Sequence, residues 1–382
     1  MKLKFFGLPF ILIFMMASCS YDDNGASSPG DSFPEGESSG GQSQPGVMTA
    51  GEWNDLNNWS FWLGLMQSNN YATMPNYWSF YNNNRISVQV FSDNEIPVVN
   101  ASVELKRNNV VVFKARTDNK GKAELWADLL QNNPNSDFSN LIIDVNQGAV
   151  IVSDVKPYNE GVNTVLTSLN DVNNRIEISF VVDATGSMGD ELEFLKTELL
   201  DVISRIEAAN PLASVYTSSV FYRDEGDEYV TKIAPFTNDM SATINFIKQQ
   251  NAAGGGDFPE AVHTALDKAI NELQWSVNAK TRILFLVLDA PPHYNSFVVK
   301  DLQSSILKAA EKGIKIVPIT ASGIDKKTEF LMRFFSISTN GTYVFITDDS
   351  GIGNSHLEPS VGQYEVEYLN NLMVRLINQY AE

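Results

Sequence analysis

Cysteine occurs once in this chain, at Cys19. That scarcity excludes an intramolecular disulfide and any cysteine-rich zinc or iron–sulfur site. Basic residues are also few: 27 Lys and Arg stand against 46 Asp and Glu, for a formal net charge of −19. So acidic a chain repels phosphate backbones and anionic headgroups, which argues against nucleic-acid binding and against electrostatic docking on membranes. Divalent cations and basic partners remain suited to it. Long apolar runs are missing as well, since the run from Phe5 to Ala17 is too short for a spanning helix. What is present is enough for a folded protein: 43% of residues are hydrophobic, 11% aromatic and only 19% charged. At 382 residues the chain exceeds what one core usually organises, so two folded domains plus extensions are expected.

Lys2 and Lys4, the apolar run and the small residues Ala17-Ser18 before Cys19 form the three parts of an export signal. Met16-Ala17-Ser18-Cys19 resembles the lipobox of bacterial lipoproteins, which implies cleavage after residue 18 and acylation of Cys19. Ser20-Tyr21-Asp22-Asp23 resembles the acidic tract of surface-exported lipoproteins. Together they imply an outer-membrane lipid anchor, with the chain on the cell surface or the periplasmic face, and no membrane contact beyond the lipid. Residues 19–50 then read as a flexible tether, because Asn24 to Gly46 is almost wholly Ser, Gly, Pro, Gln, Asp and Glu. Its reach is about 25 to 30 Å by linker scaling.

Residues 51–84 are dense in aromatics, among them Trp53, Trp59, Trp62, Tyr71, Trp78 and Phe80, interleaved with Asn. Such density builds either a sugar- or peptide-binding platform or a face that packs on a neighbouring domain. Residues 85–170 change to short alternating runs such as Ile86-Ser87-Val88-Gln89-Val90, with Asn108-Asn109 and Asp118-Asn119-Lys120-Gly121 as turns. That pattern predicts a small antiparallel β-sandwich. The stretch from Pro97 to Ala123 resembles prealbumin-like or Ig-like repeats of surface proteins, which implies a spacer or binding module.

From residue 171 to 382 strands alternate with helices, the grammar of a doubly wound, mostly parallel sheet covered on both faces: an α/β class. Strands are expected over Ile176 to Val182, Ser214 to Tyr222, Tyr229 to Ile233, Ile283 to Leu288, Ile314 to Ile319 and Tyr343 to Ile346. Helices are expected over Glu191 to Ala208, Ser241 to Gln250, Pro259 to Leu273, Val298 to Lys312, Lys327 to Phe335 and Val366 to Gln379. In such sheets ligands collect beyond the carboxyl ends of the strands. Three segments put oxygen-bearing side chains there: Asp183-Ala184-Thr185-Gly186-Ser187-Met188, Gly254-Gly255-Gly256-Asp257 and Asp289. The alternate spacing Asp-x-Thr-x-Ser lets one turning loop aim a carboxylate and two hydroxyls at a point, as a hard divalent cation requires.

D-A-T-G-S-M at 183–188, G-G-G-D-F-P-E at 254–260 and D-A-P-P-H at 289–293 resemble von Willebrand A domains, most closely of the hemicentin type. The resemblance implies a metal-ion-dependent adhesion site holding Mg²⁺, or else Ca²⁺ or Mn²⁺, by Asp183, Thr185, Ser187, Asp257 and Asp289. It also implies a protein partner that completes the metal shell with an acidic side chain. Thr185 stands where Ser is commoner, Asp257 where Thr is usual, and Ala290 where Gly often follows the last Asp.

The same residues read without the family are helix caps and loop residues. Asp190 and Glu191 suit the first turn of a helix, and Arg223 with Asp224 a solvated turn. Catalysis finds little support. His263 and His293 flank the motifs, but no nucleophile–base pair stands with them, and the Gly-rich segment lacks the Lys-Ser/Thr of a phosphate cradle. The expectation is therefore a binding protein and not an enzyme, with a metal-dependent hydrolase and an envelope assembly scaffold as the alternatives.

Overall fold

The computed structural model describes residues 45–382. The leader, the lipidation site Cys19 and residues 19–44 of the expected tether lie outside the described residues.

The described chain opens in strand β1 (Thr49–Trp53), followed by two short helices, α1 (Trp59–Leu65) and α2 (Met74–Trp78). Seven strands come next: β2 (Asn83–Phe91), β3 (Ser102–Arg107), β4 (Val110–Arg116), β5 (Lys122–Asp128), β6 (Leu141–Val145), β7 (Val150–Val152) and β8 (Asn163–Leu166). They form two small sheets, ordered β5-β2-β8 and β4-β3-β6-β7. Their inward residues, including Val88, Val103, Phe113, Leu125 and Ile143, are buried in one cluster. The sequence leads one to expect antiparallel pairing throughout. Instead β8 runs parallel to β2, with Val88 opposite Asn163 and Phe91 opposite Leu166. Strand β8 lies more than 70 residues after β2, so no turn dictates its direction.

The remainder alternates: β9 (Asn173–Asp183), α3 (Gly189–Ala209), β10 (Ser214–Tyr222), β11 (Thr231–Thr237), α4 (Met240–Lys248) and α5 (Val262–Asp267). Then follow β12 (Ala279–Leu288), α6 (Ser296–Lys312), β13 (Ile314–Thr320), α7 (Lys326–Ser338), β14 (Tyr343–Ile346), β15 (Val366–Tyr368) and α8 (Leu369–Ala381). The large sheet has the order β11-β10-β9-β12-β13-β14-β1-β15. Strands β10, β9, β12, β13 and β14 are parallel, while β11 and β1 pair antiparallel to their neighbours. Both faces of the central strands are apolar. On β12, Ile283, Phe285 and Val287 join one core with α3 and α8, whereas Leu284, Leu286 and Leu288 join the other with α5, α6 and α7. A strand buried on both sides by helices is the reason its sequence is continuously apolar. The α/β, doubly wound, mostly parallel architecture is therefore the observed one.

The aromatic segment is built into this architecture. Strand β1 pairs with β14 from Ala50↔Ile346 to Trp53↔Tyr343, and with β15 on its other side. Trp62 stacks on Phe330 of α7 at 5.7 Å between centroids, and Phe80 lies 4.5 Å from Phe334. The fully buried Arg333 of α7 ties the segment down with hydrogen bonds of 2.9 and 2.6 Å to Asp55. Tyr71 donates at 2.6 Å to Glu329 beside it. Packing is thus what most of these aromatics do.

Candidate metal centre

Strand β9 delivers Asp183 and strand β12 delivers Asp289 to the same end of the parallel sheet, because the two strands are adjacent and in register up to Val287↔Val182. Both side chains are buried, Asp183 completely. Asp183 Oδ1 accepts the Thr185 backbone N–H at 2.9 Å and the Thr185 hydroxyl at 2.7 Å. The Thr185 and Ser187 hydroxyls lie 3.1 Å apart. Thr185 is buried and Ser187 exposed, so the hydroxyls lead from the carboxylates out to solvent. The loop makes its turn by pressing Gly186 against the glycine segment: its N–H donates to the Gly254 carbonyl at 3.0 Å, and a Cβ there would stand 2.9 Å from that oxygen.

Two carboxylate oxygens, Asp183 Oδ2 and Asp289 Oδ1, are buried without a hydrogen-bond partner among the described residues. Burial and then the charge of Asp289 push Asp183 up to about 7, and burial pushes Asp289 up to about 6 against the pull of the Ser187 hydroxyl. Unpartnered buried oxygens of this kind are expensive unless a cation or proton compensates them. A hard divalent ion with partial hydration fits the donor set of two carboxylates and two hydroxyls. Among the described residues no group of three or more His, Cys, Asp or Glu side chains is arranged to hold a metal. The hydroxyls are accordingly essential to the candidate set.

Asp257 lies exposed in its loop. The acid of that segment that turns inward is Glu260, buried with its Oε2 unpartnered. Burial, with the charges of Asp183, Asp224, Asp289 and Asp227, pushes Glu260 up to about 9. Gly255 makes room for it. With φ at +68°, a Cβ on Gly255 would meet Glu260 Oε1 at 2.7 Å and Thr185 Cβ at 2.9 Å. The sequence alone assigns Glu260 no role; its signal is an acid immediately before the apolar Ala261-Val262 at the start of α5. Tyr222, the register partner of Asp183 on β10, is a second residue missed: it is fully buried beside Asp183, and burial with the two aspartate charges raises its titration.

The first two residues of the turn after β10 are not solvated. Arg223 and Asp224 are both buried, Arg223 donating to the carbonyls of Ala184 at 3.2 Å and Asn251 at 2.8 Å. Asp224 binds His293 Nε2 at 2.5 Å. Asp227 Oδ2 accepts the Gly255 N–H at 2.9 Å, so this turn braces the glycine segment. Glu191 is likewise more than a first-turn acid: it is buried, accepts the Ser322 N–H at 3.1 Å and lies 3.3 Å from His356, which chain position alone makes remote. His263 stands 3.8 Å from Glu225, and burial lowers its titration.

An open, mostly parallel sheet that gathers aspartates, hydroxyls and a glycine loop at its carboxyl ends defines an α/β domain with a candidate cation site there. Residues 177–351, a little under half of the chain, match the family model described as von Willebrand factor A domain, and the chain accordingly carries such a domain. Among curated proteins it is similar to an ariadne-like RING finger protein of Acanthamoeba polyphaga mimivirus, 32% identical over 121 residues, which is 32% of this chain and 12% of that protein. It is also similar to the alpha-protein kinase vwkA of Dictyostelium discoideum, 21% identical over 209 residues, 54% of this chain and 33% of that one. The chain thus spans a third or less of the length of these relatives. Among solved structures, the conserved hypothetical protein BatB from Bacteroides thetaiotaomicron matches at 13% identity and a TM-score of 0.36, covering 54% of this chain and 98% of that one.

Proposed function

We propose that the chain is a binding protein that takes a divalent cation, Mg²⁺ before Mn²⁺ or Ca²⁺, at Asp183, Thr185, Ser187 and Asp289, and uses it to hold an acidic side chain of a protein partner. The observation that carries this reading is the pair of buried, unpartnered oxygens on Asp183 and Asp289 beside two hydroxyls that open to solvent. A bound cation would supply a Lewis-acidic point with exchangeable coordination positions. Asp183 is held for that task by the Thr185 N–H and hydroxyl, which consume one oxygen and leave the other free. Glu260, whose titration burial and then the neighbouring acids push up to about 9, enters the reading as a neutral carboxyl and not as a third charge.

Catalysis is not part of the proposal: His293 Nε2 is held by Asp224, and the Thr185 hydroxyl is taken up in holding Asp183. Lipidation at Cys19 and display from the outer membrane belong to the same reading, with residues 85–170 as a spacer. Titration calorimetry of the full chain with Mg²⁺, Mn²⁺ and Ca²⁺ tests it. One saturable site, abolished in Asp183→Ala and in Asp289→Ala while both variants stay folded, is the expected result; no binding by the folded parent would sink the metal reading.

A further inference from the structure

A second concavity, far from the metal centre in composition, lies between the aromatic segment and the small sheets. It encloses about 730 Å³ and is bounded by α1 and α2 on one side and by β2 and residues 132–134 and 157–159 on the other. That volume falls within the range of small-ligand sites, roughly 300 to 1,000 Å³. In a chain of net charge −19 its lining contains one charged residue, Arg85, and no acid. Arg85 is already neutralised, with hydrogen bonds of 2.8 and 3.0 Å to Glu124 and one of 3.0 Å to the Leu56 carbonyl. The cleft therefore selects for an uncharged ligand.

Two further features narrow the ligand class. Tyr158 is 39% exposed, and its ring is fixed in place by the Arg85 guanidinium 4.0 Å from its centroid and by Trp59 at 6.4 Å. A rigid, half-exposed ring offers an apolar face without an entropic penalty. Around it stand Asn76, Asn132 and Asn159, all exposed, whose side-chain amides make no hydrogen bond among the described residues. Each amide carries both donors and an acceptor, which is what vicinal hydroxyls, themselves donor and acceptor, require. The wall bearing Asn132 is held in advance, since Asn83 and Asn84 donate to the Gln131 and Asn133 carbonyls at 3.0 and 2.7 Å.

An apolar ring face, a rim of free amides and no net charge together match a sugar ring, with its C–H face and equatorial hydroxyls. We propose that this cleft binds a neutral oligosaccharide, by stacking on Tyr158 and hydrogen bonding to Asn76, Asn132 and Asn159, independently of the metal centre.

Calorimetry of the full chain with cellohexaose, xylohexaose, mannohexaose and maltohexaose, and with hexagalacturonate as the charged counterpart, tests this. Saturable binding of at least one neutral hexasaccharide is expected, unchanged by EDTA and by Asp183→Ala. Tyr158→Ala should weaken it about tenfold or more, Tyr158→Phe should preserve it, and Asn132→Ala, at an exposed position that cannot compromise folding, should weaken it several-fold. The proposal fails if none of the four neutral sugars binds at millimolar concentration, if hexagalacturonate binds equally well, or if Asn132→Ala and Tyr158→Ala both bind like the parent.

Discussion

Asp183, Asp289 and Glu260 titrate at about 7, about 6 and about 9, all above their ordinary carboxylate values. A raised folded-state value means that the folded chain holds protons which the unfolded chain releases near pH 4. Stability without metal must therefore fall as pH climbs from about 4 through about 9, and the carboxylates' contribution is greatest at the acid end of that window. A divalent cation replaces those protons, so adding Mg²⁺ should flatten the decline and release protons on binding. Chemical denaturation at a series of pH values, with EDTA and with millimolar Mg²⁺, checks both statements. Two superimposable curves would show that the carboxylates meet no cation. Asp183→Asn should rise in metal-free stability at pH 8, by roughly 1 kcal/mol, and lose its response to Mg²⁺.

At the scale of elements, the glycine segment makes a sharper demand than its composition suggests. Gly255→Ala places a methyl at positive φ against Glu260 and Thr185, whereas a Cβ on Gly256 meets nothing within 4 Å. We expect Gly255→Ala to cost about 1–3 kcal/mol and to weaken metal affinity, with Gly256→Ala close to the parent in both. Thermal melts and Mg²⁺ titrations of the two variants separate a requirement for glycine from mere loop flexibility. Sequence could not rank these three glycines, because the distinction lies in what stands opposite each one. It did reveal the helices: α3, α6 and α7 begin and end within about three residues of their expected limits, since their apolar period and their caps, such as Asn295 before α6 and Asp325 before α7, are local signals. Where pairing is long-range the signal failed. Val366–Tyr368 reads as the first turn of the final helix but extends to pair with β1, some 315 residues earlier. In the site, Asp183, Thr185, Ser187 and Asp289 were legible from spacing on strand ends. Glu260, Tyr222 and the Asp224–His293 pair were not, because they are brought in by the bridge of Glu260 to Pro292, the β10–β9 register and the turn after β10 respectively, none of which is local in sequence.

The whole molecule is more interdependent than a two-domain reading of its length implies. The described residues, 45–382, fall within one compact unit, and β1 is an interior strand of the large sheet although it precedes the small sheets in sequence. A fragment beginning at residue 171 would leave β14 with a bare edge and uncover Phe330 and Phe334, the partners of Trp62 and Phe80. It would also take Asp55 from the buried Arg333, leaving Glu329 at 3.4 Å as its remaining carboxylate, and breaking a buried ion pair is destabilising. An exposed edge beside exposed aromatics invites association. The fragment 171–382 should therefore melt well below the chain 45–382, bind a hydrophobic dye and aggregate. Supplying residues 45–84 in trans or restoring them in cis should reverse this. Equal melting temperatures for the two chains would mean that β1 is an ornament on a self-sufficient sheet. A large gap would mean that the sheet draws much of its stability from the strand and aromatics that the amino-terminal segment packs against it.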